Sequence, residues 1–444
     1  WLRLTRTQGA PWHGSSMRNR VKSLFRRPRT RSARIALWIV AGLALFYVVY
    51  VAGAAVFLNG GGMEWATKNE KDVHVVVGGG HSFFPGFVHV EDLRIRFKDY
   101  NIEMEIAADE ADAFIALWKL PFMKIHVSWI RAHGAEYRMV HRVEDREANA
   151  ARLAAFPDIP GFDRPLYYDT PPPPPTSGKL WKVQFDSIDA DVRLAWVLEY
   201  QLRGTLKARG SFFLDPNEVA TIHPCTVDVR DATITVGKER IARDVHGLLG
   251  TSIDSFYPPE SPIDVVAPKI TARIEKFHAY LETLSFLRLY LPPDPLTLEG
   301  EGNLDADAKM TLGRIDAGSK VALDLKPFTL RSAESHATGQ ARLALEGAAD
   351  GRFETRVDAT FPERKDNAIA VEKLAAMVGF DHDNLTNVEM RRASVDARDV
   401  RFTRPDFFRD AFGKSTAYPV SGALDAQAEI ELPREGEGKV DAKL

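Results

Sequence analysis

The most regular feature of this chain is an alternation of apolar and polar residues over many short segments. Between residues 93 and 97 apolar side chains alternate with arginines, and the same period of two recurs in 102–106, 302–310 and 424–432. Residues two apart on a strand lie on the same face of a sheet. The pattern therefore predicts strands with one apolar and one solvated face.

A glycine opens several of these alternating segments, as at Gly204, Gly302, Gly339 and Gly422. The spacing between the four glycines is irregular, which argues against a solenoid of fixed period. We interpret the copies as one strand-and-return unit that is used many times.

Three segments favour a helix instead. Residues 142–156 are rich in Ala, Glu and Arg, and residues 276–291 have apolar side chains at helical spacing before Pro292 and Pro293. Proline ends a helix, so the second segment has a stop signal as well. The third candidate is 367–379, where Leu374 and Val378 lie one turn apart.

The number of strands sets the expected architecture. Roughly 20 strands of average length fit into the chain, and at about 4.8 Å spacing they span roughly 90–100 Å. A sheet that long must curl, split or close, because its twist accumulates. We expect a mainly β fold: a long, curled, antiparallel-rich sheet with a few short helices.

The apolar faces in the second half of the chain contain many alanines among the leucines. A tightly packed sandwich prefers bulkier side chains, so this composition favours a groove with room inside it. The residues predicted to line that groove are Leu304, Ala306, Ala308, Met310, Leu424, Ala426, Ala428 and Ile430.

Residues 35–58 form an uninterrupted apolar segment of 24 residues without a charge. A helix of that length reaches about 36 Å, enough to cross a hydrocarbon core of roughly 30 Å. A cleaved signal peptide has a shorter apolar stretch, although the small residues at 52–55 leave cleavage open. The segment predicts a transmembrane helix.

The charges on either side of this helix predict its orientation. Eight Lys and Arg residues and no acidic residue lie between Arg18 and Arg34, whereas 59–72 contains two lysines and three acidic residues. The positive-inside rule places the N-terminus in the cytoplasm and the body outside it. In a bacterium with two membranes, the chain is then anchored in the inner membrane with its bulk in the periplasm.

Composition narrows the chemistry. A net charge of −3 gives no basic field for nucleic acid, and a single cysteine, Cys225, excludes an internal disulfide. No catalytic motif occurs in a convincing context, so we expect no enzyme activity, catalytic residue or cofactor. We also expect no metal site, because the histidines of 74–89 and 126–141 are predicted to lie apart on different strands and loops.

The chain resembles the AsmA-like family in three features taken together. They are the apolar helix, the first exported strands at 88–97, 104–112 and 117–127, and the Gly-x-Leu-x-Ala alternations. That family includes TamB and is related in architecture to bridge-like lipid transfer proteins. The resemblance covers about residues 30–444. It implies that the curled sheet is a long, U-shaped β-groove with an apolar interior, which moves phospholipid between membranes or supports the outer membrane.

These expectations divide the chain into five parts. They are a basic cytoplasmic tail (1–34), the transmembrane helix (35–58), a first exported β segment (59–156), a Pro-rich linker or loop (157–178) and a repetitive β-groove domain (179–444). The predicted partners are phospholipid and the inner membrane. An alternative is a periplasmic scaffold or assembly factor that binds envelope proteins through exposed strand edges. A third reading is an exported enzyme whose site has no recognised motif.

The orientation generates the first testable prediction. A reporter that is active only outside the cytosol is expected to be active when fused after Leu444 and inactive when fused before Arg18. Activity at the two positions is measured in intact cells, with a cytosol-active reporter at both positions as the control. The reverse pattern would contradict the predicted topology.

Overall fold

A computed structural model describes residues 31–68, 73–98, 102–143, 147–161, 180–216, 218–256, 266–290, 297–332, 335–384, 387–402, 423–432 and 439–443. The chain divides at Ala54 into two compact units, the helix up to that residue and the remainder, Ala55–Leu444. Each unit is described by itself.

The long helix α1 covers Arg31–Asn59, and the short helix α2 follows at Gly62–Thr67. Within α1, the stretch Arg34–Asn59 has a mean hydropathy of 2.4 in its most apolar window, and none of that window is buried in the protein. By length and composition it is a single membrane span or a signal sequence.

The rest of the described chain is mainly β, as predicted. Nineteen strands form one sheet. They are β1 Val73–Val76, β2 Gly79–His81, β3 Phe87–Lys98, β4 Ile102–Ile115, β5 Lys124–His141, β6 Lys182–Val197, β7 Tyr200–Asp215, β8 Val219–Val236, β9 Glu239–Phe256, β10 Ile270–Leu281, β11 Thr297–Thr311, β12 Arg314–Ile315, β13 Lys320–Ser332, β14 Ser335–Gly347, β15 Arg352–Phe361, β16 Ile369–Asn384, β17 Asn387–Phe402, β18 Ala423–Glu431 and β19 Lys439–Lys443.

Sequential strands lie side by side and pair in antiparallel fashion, while β5 and β6 are parallel. Strands β1 and β2 both pair with β3, and the two-residue β12 pairs with β11 beside β13. Among the described strands, none pairs back to join the two ends of the sheet, so the sheet is open.

The sheet curls. Strands β11, β13, β14 and β15 separate β10 from β16, so these two strands would be about 24 Å apart in a flat sheet. The 3₁₀ turn Ala267–Lys269, directly before β10, nevertheless has Cα atoms within 8 Å of Cα atoms in β16. Such an approach requires curvature, so the predicted curl is confirmed.

Aspartates in left-handed conformation mark bends within the strands. Asp231, Asp244 and Asp399 have φ values of 49°, 54° and 48° and lie where the strand register shifts. Aspartate tolerates this conformation better than most residues, and an extra residue in one strand of a pair bends the sheet.

Two predicted helices are wrong. Residues 276–291 form the end of β10 and a 3₁₀ turn at Ser285–Leu289, and 367–379 lie largely in β16. In β10 the apolar residues Phe277, Ala279 and Leu281 also alternate with a period of two, and pairing with β9 and β11 selects the strand. Of 142–156, Ala150–Ala154 is helical.

The Pro-rich segment lies mostly outside the described residues, which resume at 180 after 161. The strands on its two sides, β5 and β6, are adjacent and parallel. The first β segment and the repetitive β domain of the predicted division therefore contribute to the same sheet.

The glycines that open the alternating segments lie where neighbouring strands approach closely. A Cβ at Gly302 would collide with the carbonyl oxygen of Asp324, and one at Gly339 with that of Thr360. Both glycines lie beside register shifts, in β11 and in the β13–β14 pair. Gly422 lies outside the described residues.

We expect Gly302→Ala to lower the free energy of unfolding by about 2 kcal/mol or more, because β13 must move to admit the methyl group. Gly379→Ala is the matched control, since its Cβ would meet Arg392 Cβ at an ordinary 3.7 Å. Denaturant unfolding of the detergent-solubilised full chain measures both variants. Equal stability of the two would contradict this account of the repeat glycines.

Candidate functional site: the apolar face of the sheet

One face of the sheet presents apolar side chains that pair with one another from strand to strand. In an antiparallel pair, directly opposite residues share a face. The register therefore identifies which residues form a continuous row. The first row runs through Val90, Ala111, Ala132, Ala190, Ala208, Val227, Leu249, Ile274 and Ala308, from β3 to β11.

A second row continues from the same face of β11. It passes through Leu304, Leu323, Leu343, Val357, Ala376, Val395 and Ala428, which is in β18. A parallel row begins at Ala306 and ends at Ile430, with Thr355 as its polar member. Because Leu304, Ala306 and Ala308 are neighbours on one face of β11, the rows join. We call this surface the apolar face.

The opposite face is charged. Asp324, Arg342 and Asp358 are directly opposite one another on β13, β14 and β15, and Arg342 Nη1 lies 3.6 Å from Asp324 Oδ1. On β17, hydrogen bonds from Arg398 and Lys373 lower the pKa of Asp396 to about 2. This face therefore holds ionised side chains in water at neutral pH.

Packing on the apolar face differs along its length. At its start, Leu58 of α1 and Met63 of α2 pack with Val90, Leu93 and Ala111. In the middle, a larger buried cluster gathers side chains from β7 to β16. Its members include Leu206, Val229, Val245, Ala279, Leu325, Ala341, Ala359 and Phe361.

The 3₁₀ turn Ser285–Leu289 packs against this cluster at one end of the strands. Leu284 is buried, Phe286 and Leu287 contact the cluster, and the Tyr290 hydroxyl lies 2.8 Å from that of Tyr200. Toward the last strands the face is more open, because Val395 is 42% exposed and Leu424 is 38% exposed.

The structure places all eight residues of the predicted lining on the apolar face, four on β11 and four on β18. Ala306 is buried and Leu304 packs against the central cluster, so the β11 part is partly filled by protein. Their contact with lipid stays a prediction. What the sequence missed is the row of residues in β13 to β17 that links the two groups.

Several histidines lie closer together than predicted. The His81 and His89 rings are 4.6 Å apart, and His89 Nδ1 lies 2.8 Å from Asp112 Oδ1. His246 and His278 repeat the arrangement with Asp305 on β9, β10 and β11. His81 and His89 do lie on different strands, as predicted, but the pairing of β2 with β3 makes their rings converge, which the sequence did not indicate.

These clusters do not amount to a metal centre. Within the part of the chain that the structure describes, no group of three or more His, Cys, Asp or Glu side chains is placed to hold a metal ion. Cys225 is a half-buried free thiol on the apolar face, and burial raises its pKa. A thiol with a raised pKa is a weak nucleophile at neutral pH.

Comparison of the chain with protein-family models, with curated proteins and with solved structures gave no match.

The uneven packing generates a stability prediction. Leu325→Ala is expected to lower the free energy of unfolding by about 2–5 kcal/mol, because Leu325 is 2% exposed and its loss leaves a cavity. Val395→Ala, on the open part of the same face, is expected to cost less than about 1 kcal/mol. Denaturant unfolding midpoints test both. A large loss at Val395 would mean that this part of the face is also closed.

Proposed function

We propose that the protein is a membrane-anchored lipid carrier, in which phospholipid acyl chains lie along the apolar face while the headgroups stay in water. The single observation that carries this proposal is the continuous apolar surface from Val90 to Ala428, made of two rows of apolar residues that join on β11. Fourteen strand spacings separate β3 from β18, counting β13 directly after β11, which corresponds to a path of roughly 65–70 Å.

The binding free energy of an acyl chain depends on the apolar area that it buries more than on any specific contact. Each buried CH₂ contributes about 0.8 kcal/mol, so a chain is held by many weak contacts and can slide between them. A charge on the path must be desolvated or held in a wet gap, and either costs free energy. The division of the sheet into an apolar and a charged face meets this requirement, since the ionised groups are kept on the other side.

The proposal also assigns the position of the chain relative to the inner membrane. In it α1 is a single span of the inner membrane, its N-terminus is cytoplasmic and the sheet lies in the periplasm, in agreement with the flanking charges. The contact of Leu58 and Met63 with Val90 and Ala111 supports the proposal, because Leu58 is the last residue of the predicted span and Met63 follows it closely, so the first row begins where the span ends.

Photocrosslinking in cells tests where lipid binds. A photoreactive amino acid at Val227 or Val395, on the apolar face, is expected to form phospholipid adducts detected by mass spectrometry. The same residue at the neighbouring Asp228 or Asp396, on the charged face, is the matched control and is expected to form none. Equal labelling of both faces, or adducts to other proteins in place of lipid, would favour the scaffold alternative.

A charge on the path tests transport. Val395→Asp is expected to abolish lipid transport, because the new carboxylate interrupts the apolar path. The full chain is expected to remain folded and membrane-bound, because Val395 is already partly exposed. Ser394→Asp puts the same carboxylate on the adjacent residue of the charged face and is expected to keep at least half of the activity.

Glu429→Lys is a second control on that face. It is preferable to a change at Asp425, whose Oδ1 accepts a hydrogen bond of 2.7 Å from the Asp399 amide at a bend of β17. Loss of activity in both control variants would show that the charged face carries the function.

A further inference from the structure

Five aromatic side chains are exposed together at one end of the first strands. Phe122 is 80% exposed, Phe84 67% and Trp118 63%, although each is large and apolar. Phe83 and Trp181 are about half exposed. We call these five residues the aromatic rim.

The strand register places the rim at a single end of the sheet. Phe83 and Phe84 precede β3, whose first residue, Phe87, pairs with Phe114 near the end of β4. Trp118 and Phe122 belong to the 3₁₀ turn that joins β4 to β5. Trp181 immediately precedes β6, where Lys182 pairs with Lys124 at the start of β5.

Further aromatic residues support the rim from inside the sheet. Phe87, Phe114 and Trp129 are directly opposite one another on β3, β4 and β5. The Phe114 and Trp118 ring centroids lie 6.4 Å apart, and those of Phe87 and Trp129 lie 6.2 Å apart. Trp118 therefore packs against an aromatic layer that continues into the sheet.

The same end of the sheet receives the chain from α1. Asn59, the last residue of α1, donates a hydrogen bond of 2.8 Å to the Gly80 carbonyl and accepts one of 3.1 Å from the Gly80 amide. Gly80 precedes Phe83 by three residues, so an extended chain places them within about 11 Å. The rim thus lies close to the point where the apolar segment ends.

Charges around the rim are mixed and largely paired. Lys182 forms ion pairs with Asp215 and Glu218, His126 Nε2 lies 2.6 Å from Asp186 Oδ2, and Lys124 lies over the Phe213 ring. A paired, nearly neutral surface of this kind has little electrostatic cost at a lipid headgroup layer. It would be a poor recognition site for a strongly charged protein.

We propose that the aromatic rim inserts into the headgroup region of the bilayer that holds α1, as a second contact with the same membrane. Trp favours this layer because its ring leaves water while its N–H still finds acceptors there, and the Phe rings gain by burying apolar area in the same layer. The rim residues border Ile115, Val127 and Val183 of the apolar face. The contact therefore brings that face to the lipid surface, where acyl chains enter it.

This inference rests on the proposed membrane span but not on lipid binding by the apolar face. Cys225 is the chain's single cysteine, so a Cys225→Ser background allows one label at a chosen site. The full chain, with Phe84→Cys or Phe122→Cys and an environment-sensitive fluorophore, is reconstituted in phosphatidylcholine vesicles. Some vesicles carry nitroxide-labelled phosphatidylcholine with the nitroxide near the glycerol end of the acyl chain.

Lys238→Cys, an exposed position in the turn between β8 and β9 at the other end of the strands, is the control. We expect the labels at 84 and 122 to show a blue-shifted emission and strong quenching, and the label at 238 to show neither. Water-like emission without quenching at both rim positions would overturn the inference.

The outcome is separable from the test of the carrier. Lipid adducts on the apolar face without quenching at the rim would keep the carrier and overturn the rim contact. Quenching at the rim without adducts on the apolar face would establish the rim contact and contradict the carrier.

Discussion

Strand register is the constraint on which the rest of this molecule depends. A slip of one residue at any strand pair would exchange the two faces of every strand beyond it. The apolar rows that cross β3 to β18 exist because Ala, Val, Leu and Ile meet one another at nearly every pairing, while Asp, Glu and Arg meet on the reverse side. Burial of the central cluster then penalises the slipped pairings, so backbone pairing and hydrophobic burial select the same register.

Much of the architecture could be predicted because it follows from the local alternation of apolar and polar residues. The alternation in 302–310 and 424–432 identifies strands and their apolar faces without any knowledge of neighbours. The helices predicted at 276–291 and 367–379 were wrong because the apolar residues there fit both a helical and a strand period. Only pairing with the neighbouring strands decides between the two. The linking rows, the His–Asp pairs and the aromatic rim depend on register between distant residues, which a single sequence does not reveal.

The aspartates at the strand bends reconcile two demands on the sheet. A long sheet must curl, yet its apolar row must stay on one side throughout. At Asp231 and Asp399 the extra residue takes up a left-handed conformation, so the strand turns and its side chains return to the same face. Curvature is thereby gained without a break in the row.

The construction from hairpins has a consequence for how such a protein can evolve. After β11 each strand pairs through its backbone only with its neighbours, and each hairpin adds two strand spacings, about 10 Å, to the sheet. Duplication or deletion of one hairpin keeps both faces aligned, whereas loss of a single strand reverses the direction of every later one. The length of the sheet can therefore change by whole hairpins while the remaining strands keep their pairing and their two faces.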